Sequence, residues 1–195
     1  MKANFVKTFI PVKDFVAVEK VGNKMLVRFD AVKDADTDAY SCVEGSVSAS
    51  EYNEQEVRRE YEVWKQKWAE KALVLAKKAK IAEIVDYDKS SSVNGFILNG
   101  MLVWLDKATR VGLMNSTTIA KAAGQQTTTL WLGGAKLVVD CDKAIQLLSA
   151  LEMYALECFN VTASHKAAVG ELTTIEDVEA YDYKSGYPKM LEMSV

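Results

Sequence analysis

Catalysis needs reactive side chains within reach of one another, and this sequence offers few. Its one histidine, His165, is followed by Lys166 and has no serine, cysteine or carboxylate at a spacing that would make it the base of a nucleophile. Such a histidine reads as a helix-surface or helix-end residue. Cys42, Cys141 and Cys158 form no CxxC pair and no zinc spacing, so they read as reduced, mostly buried thiols. Asp30, Asp34, Asp36 and Asp38 look at first like a calcium loop. The run lacks that motif's central glycine and closing glutamate, and no helix precedes it, so an acidic solvated turn is the better reading. Gly133-Gly134 has no GxGxxG or Walker surroundings and sits between two strand-like runs, as a hairpin turn does. No catalytic, cofactor-binding or metal-ligating residue is therefore expected, and the chain is expected not to be an enzyme.

Three non-catalytic constellations remain. Asp106 and Arg110 stand one helical turn apart and could form a polar cluster with Asn115; an exposed structural ion pair is the simpler role. Trp104 and Trp131 each follow alternating apolar residues and are expected in the core, joining hairpins to helices. If exposed, they would instead be a stacking platform. Val57, Tyr61, Trp64, Trp68 and Leu75 recur at steps of three, four or seven, giving one apolar stripe on a long polar helix. That stripe either mates with copies of itself in a coiled coil or covers the N-terminal strands within one chain.

The elements that must position these residues are legible from local pattern. Val12–Val21 and Met25–Phe29 are rich in β-branched and aromatic residues, and Gly22-Asn23 between them reads as a hairpin turn, with Pro11 at the strand start. Residues 39–47 supply a third strand, so residues 1–50 form a small antiparallel β module. Ser48 and Glu51 stand at capping-box spacing before a stretch free of Gly and Pro to about residue 85, which predicts a single linking helix over 51–86. Residues 87–195 form a C-terminal α+β domain. Asn99-Gly100 and Gly133-Gly134 are the turns of two hairpins, and these pack with helices. Asp106 caps a helix running towards Asn115, restarting at Thr117 or Thr118 and ending at Gly124. Asp140 or Asp142 caps a helix of about 25 residues whose buried face includes Ile145, Leu148, Leu151, Tyr154, Ala155, Cys158, Phe159 and Thr162. A short helix starts near Thr173, and a tail opens at Tyr187-Pro188. The fold class is thus α+β.

Composition bounds the function from outside. The 195 residues carry 24 Lys+Arg against 27 Asp+Glu and are 49% apolar, ordinary for a soluble globular chain able to bury a core without disulfides or metals. A net charge of −3 argues against broad electrostatic binding to nucleic acid. The apolar runs are far too short to span a membrane, and the first residues show no secretory h-region. The charge is unevenly placed: residues 1–50 hold seven of each sign and 51–86 eight of each, whereas 87–195 hold nine basic against twelve acidic.

Five segments carry a resemblance. They are Val93–Phe96, Trp104–Leu113 (WLDKATRVGL), Thr127–Trp131, Leu151–Ala155 and His165–Val169. Together they resemble a tail-associated domain of unknown function found in bacteriophages and prophages, often encoded beside tail-fibre genes. The resemblance covers about half the chain, and WLDKATRVGL is its most specific part. The overall layout is also similar in outline to small tail-fibre accessory and assembly proteins. The resemblance transfers no catalytic residues. It implies a structural or adaptor protein of the virion tail, made in the host cytoplasm and contacting other tail or tail-fibre proteins; a homo-oligomer is what the helix stripe, not the resemblance, leaves open. It also leaves room for a cytoplasmic tail-fibre chaperone missing from the mature particle, or a receptor- or glycan-binding module.

Overall fold

Turn chemistry sets the strands of the N-terminal part. In the computed structural model, which describes residues 5–194, and side chains over 8–63, 65–67 and 69–194, four antiparallel strands run β1 (Phe5–Pro11), β2 (Val18–Val21), β3 (Lys24–Lys33) and β4 (Ala39–Ser48). Their order is β1-β4-β3-β2. Gly22, at φ +59, opens the two-residue β2–β3 turn, the conformation glycine adopts without a Cβ penalty. Pro11, expected to begin a strand, instead ends β1 on the sheet's edge, where its missing N–H costs no ladder bond. Asp34 accepts hydrogen bonds from the backbone N–H of Asp36 (2.8 Å) and Thr37 (3.2 Å), the turn role expected of the acidic run. Val18, Met25, Val27, Phe29 and Val47 form the core of this sheet.

The single linking helix starting at Ser48 and Glu51 is corrected by the structure. Asn53 is the cap, accepting from the Gln55 N–H at 2.8 Å, and Ser48 pairs with the Ser50 hydroxyl instead. The chain then forms α1 (Glu54–Arg59), breaks at Glu60, and forms α2 (Tyr61–Asp88), about 42 Å at 1.5 Å per residue. Val57 is fully buried in the sheet's core, and Tyr61 packs on that core and donates its hydroxyl to the Arg28 carbonyl at 2.6 Å. These two stripe residues are thus engaged within the chain, while Leu75 is exposed. Trp64 and Trp68 belong to α2 by backbone; their side chains lie outside the described residues. The chain divides into two compact units, residues 1–78 with 173–175, and 79–172 with 176–195, so the division falls within α2.

The second unit continues with α3 (Ser91–Asn94), β5 (Gly95–Leu98), β6 (Met101–Trp104), α4 (Lys107–Ala122), β7 (Thr127–Leu132), β8 (Ala135–Asp140), α5 (Cys141–Glu171), α6 (Ile175–Ala180) and β9 (Leu191–Met193). Both hairpins form at the expected turns. Asn99 (φ +51) with Gly100 (φ +81), and Gly133 (φ +58) with Gly134 (φ +84), supply the two positive φ angles that a type I′ turn requires. β9, which the sequence left as tail, adds in parallel to β5, giving the sheet order β6-β5-β9.

Helix α4 runs through Asn115 without the expected interruption. It ends on Gly124 at φ +82, with Gln125 N–H bonding the Ala120 carbonyl and Gly124 N–H that of Lys121, a Schellman motif. Asp140 caps α5 by accepting from Asp142 N–H (2.8 Å) and Lys143 N–H (3.2 Å), and the helix is 31 residues long rather than about 25. Leu148, Leu151, Tyr154, Ala155, Cys158 and Thr162 are buried along it as expected, but Phe159 is 61% exposed. One residue step is 100° of helix rotation, so Phe159 lies over the edge of the stripe that buries Cys158. The core of this unit joins Phe96, Leu98, Val103, Leu130 and Leu132 of the hairpins to Leu148, Leu151 and Tyr154 of α5.

Candidate functional site

Alternation along two strands decides which aromatics face water. β6 turns Val103 inward, so Trp104 points out and is 41% exposed; β7 turns Leu130 and Leu132 inward, so Trp131 points out and is 62% exposed. The expectation that both tryptophans are core residues is thereby corrected.

Trp104 stands at a cleft of about 560 Å³, a volume within the usual range for a ligand site. The end of β6 and the start of α4 contribute Trp104, Asp106, Lys107 and Arg110; α5 contributes Glu152, Leu156 and Phe159; the segment after α2 contributes Lys89. Leu156 is 49% exposed. Asp106 is the N-cap of α4. It accepts from both the N–H (2.8 Å) and the hydroxyl (2.6 Å) of Thr109, and these bonds, the hydroxyl's first, hold its carboxyl below the usual carboxylate range.

The i,i+4 pair of Asp106 with Arg110 does not form. Arg110 is buried, turns back to give an Nη1 hydrogen bond to the Leu105 carbonyl (2.8 Å), and reaches across to α5 with Nε on Glu152 Oε1 (2.8 Å). With Asp106 committed to the cap, the guanidinium finds its carboxylate 42 positions away. Lys107 has no partner among the described residues. Lys89 reaches only the exposed Asp86, at 3.6 Å. The carboxylates of the cleft are engaged: Asp106 by Thr109, Glu152 by Arg110, and Asp88 by the Thr162 hydroxyl at 2.7 Å. The cleft thus sets Lys89, Lys107 and Arg110 against Asp88, Asp106 and Glu152, three charges of each sign, beside an apolar surface.

A second polar cluster in this unit is closed. His165 Nε2 faces the Ser185 carbonyl (2.9 Å), an acceptor only, so Nε2 carries a proton and donates; Nδ1 shares a hydrogen bond with the Tyr181 hydroxyl at 2.8 Å. The Tyr187 hydroxyl meets that of Thr162 at 3.0 Å, and the rings of Tyr183 and Tyr187 pack on Tyr87. Both nitrogens of His165 therefore hold residues 181–185 to α5. Nearby, Tyr154 and Cys158 donate to the Val93 carbonyl at 2.8 and 3.1 Å, and burial raises the pKa of each, which keeps both protonated. The three cysteines are free and buried.

The structure thus gathers Trp104, Asp106 and Arg110 in one cleft, and leaves Trp131 on the β7–β8 hairpin, outside that lining. Asn115 is exposed on α4 and does not join them. Sequence reasoning missed Glu152, Leu156 and Phe159, which reach the cleft only because α5 passes beside the start of α4. No described helix is long and apolar enough to cross a membrane.

No curated protein and no solved structure matches the chain. A family model described as a domain of unknown function, DUF4376, matches residues 75–185, which is more than half of the 195. The matched span holds every residue of the cleft as well as His165, Tyr181 and Tyr183, so the described site lies within it. By that match the chain belongs to the DUF4376 family.

Proposed function

We propose that this chain is a non-enzymatic structural or adaptor protein of a phage tail, working through protein–protein contacts. The observation that carries the reading is the placement of Trp104, Leu156 and Phe159, three large apolar side chains exposed around one cleft. Exposed aromatic and apolar groups gathered at one concave site mark recognition surfaces, whereas singly scattered ones need no explanation. The reactive side chains are occupied in the opposite sense. His165 is bonded at both ring nitrogens and the cysteines are buried, which suits a protein that makes contacts more than one that turns over a substrate.

The tail setting rests on the resemblance of WLDKATRVGL and its companion segments. It is tested by quantitative mass spectrometry of purified particles from a host expressing the intact gene cluster. A fixed copy number per particle is the expected result. Absence from the particle, with the chain recovered instead on unassembled tail fibres, would replace this reading with the assembly-chaperone one.

A further inference from the structure

We infer that the free edge of β8 pairs antiparallel with β8 of a second copy of this chain, joining two β7–β8 hairpins into one continuous sheet across a two-fold axis at Val138. This contact goes beyond the tail reading and is independent of it, because the partner is the chain itself.

β7 and β8 form a two-stranded sheet, so one side of β8 is answered by β7 and the other by no strand among the described residues. A two-residue turn makes its closing pair, Leu132 with Ala135, a hydrogen-bonded one, and bonded pairs recur at every second position, Leu130 with Leu137 and Thr128 with Val139. The Cys141 N–H on the Gln126 carbonyl, at 2.9 Å, continues that series past the strand's end. Lys136, Val138 and Asp140 therefore turn their backbone groups to the open side. All three are exposed, Val138 by 61%. The Asp140 carbonyl starts the ladder of α5, which leaves its N–H as the free group there.

Charge then selects the partner and the register. An antiparallel pairing centred on Val138 sets Val138 opposite Val138, Leu137 opposite Val139, and Lys136 opposite Asp140, the last two in both directions as a two-fold axis requires. Lys136 has no partner among the described residues. Asp140 accepts the N–H groups of Asp142 and Lys143 through Oδ1 and has no ion pair among the described residues, since nearby Lys121 is taken by Asp142. Opposite charges facing each other on one side of a ladder stabilise it, and the exposed Val138 is covered between them by its own counterpart. The neighbouring registers, centred on Leu137 or Val139, set Lys136 or Asp140 against Val138 and leave the charges unmatched. In the chosen register Val138 N–H meets the Val138 carbonyl and Asp140 N–H meets the Lys136 carbonyl, each in both directions. A lysine on a sheet edge ordinarily deters pairing with other chains; here it stands where a second copy answers it with a carboxylate.

The experiment is sedimentation velocity of the full-length chain across a concentration series, with disulfide trapping to read the register. An edge this short makes a small interface, so a weak dimer with a Kd on the order of 10 μM is expected. Lys136→Glu sets like charges across the axis and should weaken the dimer about tenfold or more; added salt should weaken the wild-type dimer and strengthen that of the variant. Val138→Cys should cross-link on mild oxidation, because directly opposed residues of a bonded pair have Cα atoms about 5.5 Å apart. Lys136→Cys should not, since its two copies would lie about 14 Å apart. The native cysteines are buried, so the wild type is the uncross-linked control. All three substitutions are at exposed side chains, and a far-ultraviolet spectrum confirms that the variants are folded.

A strict monomer up to about 200 μM would overturn the inference. So would a dimer that Lys136→Glu leaves at wild-type strength, since the copies would then meet through another face. Failure of Val138→Cys to cross-link, or cross-linking by Lys136→Cys in its place, would remove the register and with it the charge match. Copy number in purified particles tests the tail reading separately, and absence from the particle would leave a β8-dependent dimer standing.

Discussion

Two polar clusters in one compact unit, both drawing on α5 and on Asp88, differ in what they leave unused. Around His165 every strong group is answered from within the chain: both imidazole nitrogens, the Thr162 hydroxyl and the hydroxyls of Tyr181 and Tyr187. Around Arg110 the carboxylates and the guanidinium are answered too, but Lys107 has no partner among the described residues and exposed apolar side chains stand beside them. A satisfied polar cluster far along the chain fastens a segment in place. An ion pair bordered by exposed apolar side chains in a cleft is the usual setting of a recognition surface. Residue type would have ranked these sites the other way, since histidine is the usual candidate for chemistry.

The comparison can be broken hardest where the shared scaffold is tightest. Gly95 joins α3 to β5, and a Cβ there would stand 2.2 Å from the Ser91 carbonyl oxygen, which is backbone and cannot turn aside. Gly95→Ala should therefore cost about 3 kcal/mol, read as a lowered urea midpoint. It should loosen both clusters together, because the neighbouring Val93 carbonyl ties α3 to Tyr154 and Cys158. Retention of the wild-type midpoint would mean that this junction is not as close as described.

Arg110→Ala comes next and tests the anchor between α4 and α5. It leaves the Leu105 carbonyl and Glu152 without their donor, and because Glu152 is about one-third exposed, water recovers part of the loss. A cost of about 2 kcal/mol is expected, read as a lowered urea midpoint. Lys107→Glu, at an exposed side chain, should change unfolding by less than about 0.5 kcal/mol. Equal destabilisation by the two variants would mean that Arg110 does not anchor α4 to α5.

How far these clusters can be read from the sequence follows the range of the interactions that make them. Asn99-Gly100 and Gly133-Gly134 are legible because a type I′ turn is a demand on two adjacent φ angles. Asp106 and Asp140 are legible as caps for the same local reason. Strands β1 and β9 are not: β9 has three residues, and its pairing with β5 joins positions nearly a hundred apart. Alternation around Trp104 and Trp131 shows that each tryptophan faces opposite to its neighbours, but only the packing of Val103, Leu130 and Leu132 decides which face is inside. Asp106 and Arg110 could be placed near each other from spacing, yet their actual partners differ. The cap competes for Asp106, and Glu152 becomes available to Arg110 only through tertiary packing. Phe159 shows the limit of a helical stripe, since period alone does not fix how wide the buried face is.

The closed cluster can be opened more gently. His165→Ala removes the partner of the Tyr181 hydroxyl and the donor to the Ser185 carbonyl, both partly solvated. A loss of about 1 kcal/mol is expected, with faster amide hydrogen exchange concentrated in residues 181–187 and in β9. Faster exchange spread evenly over the unit, instead of concentrated in those residues, would show that His165 does more than fasten the 181–185 segment.

The finest distinction lies inside the cleft, at Asp106, whose carboxyl is engaged by Thr109 while Lys107 beside it has no partner among the described residues. Hydrogen bonds from the hydroxyl and then the N–H of Thr109 lower its folded-state pKa below the ordinary carboxylate value. A depressed folded pKa contributes stability that is complete above the unfolded pKa and is lost as pH falls through the folded one, so the effect is confined to the acid limb. Asp106→Asn keeps an N-cap acceptor and should leave stability near neutral pH almost unchanged, while making the acid limb of the stability–pH curve shallower. Urea unfolding at stepped pH reads both. An acid limb as steep as the wild type's in this variant would mean that the two bonds from Thr109 do not hold the Asp106 carboxyl down.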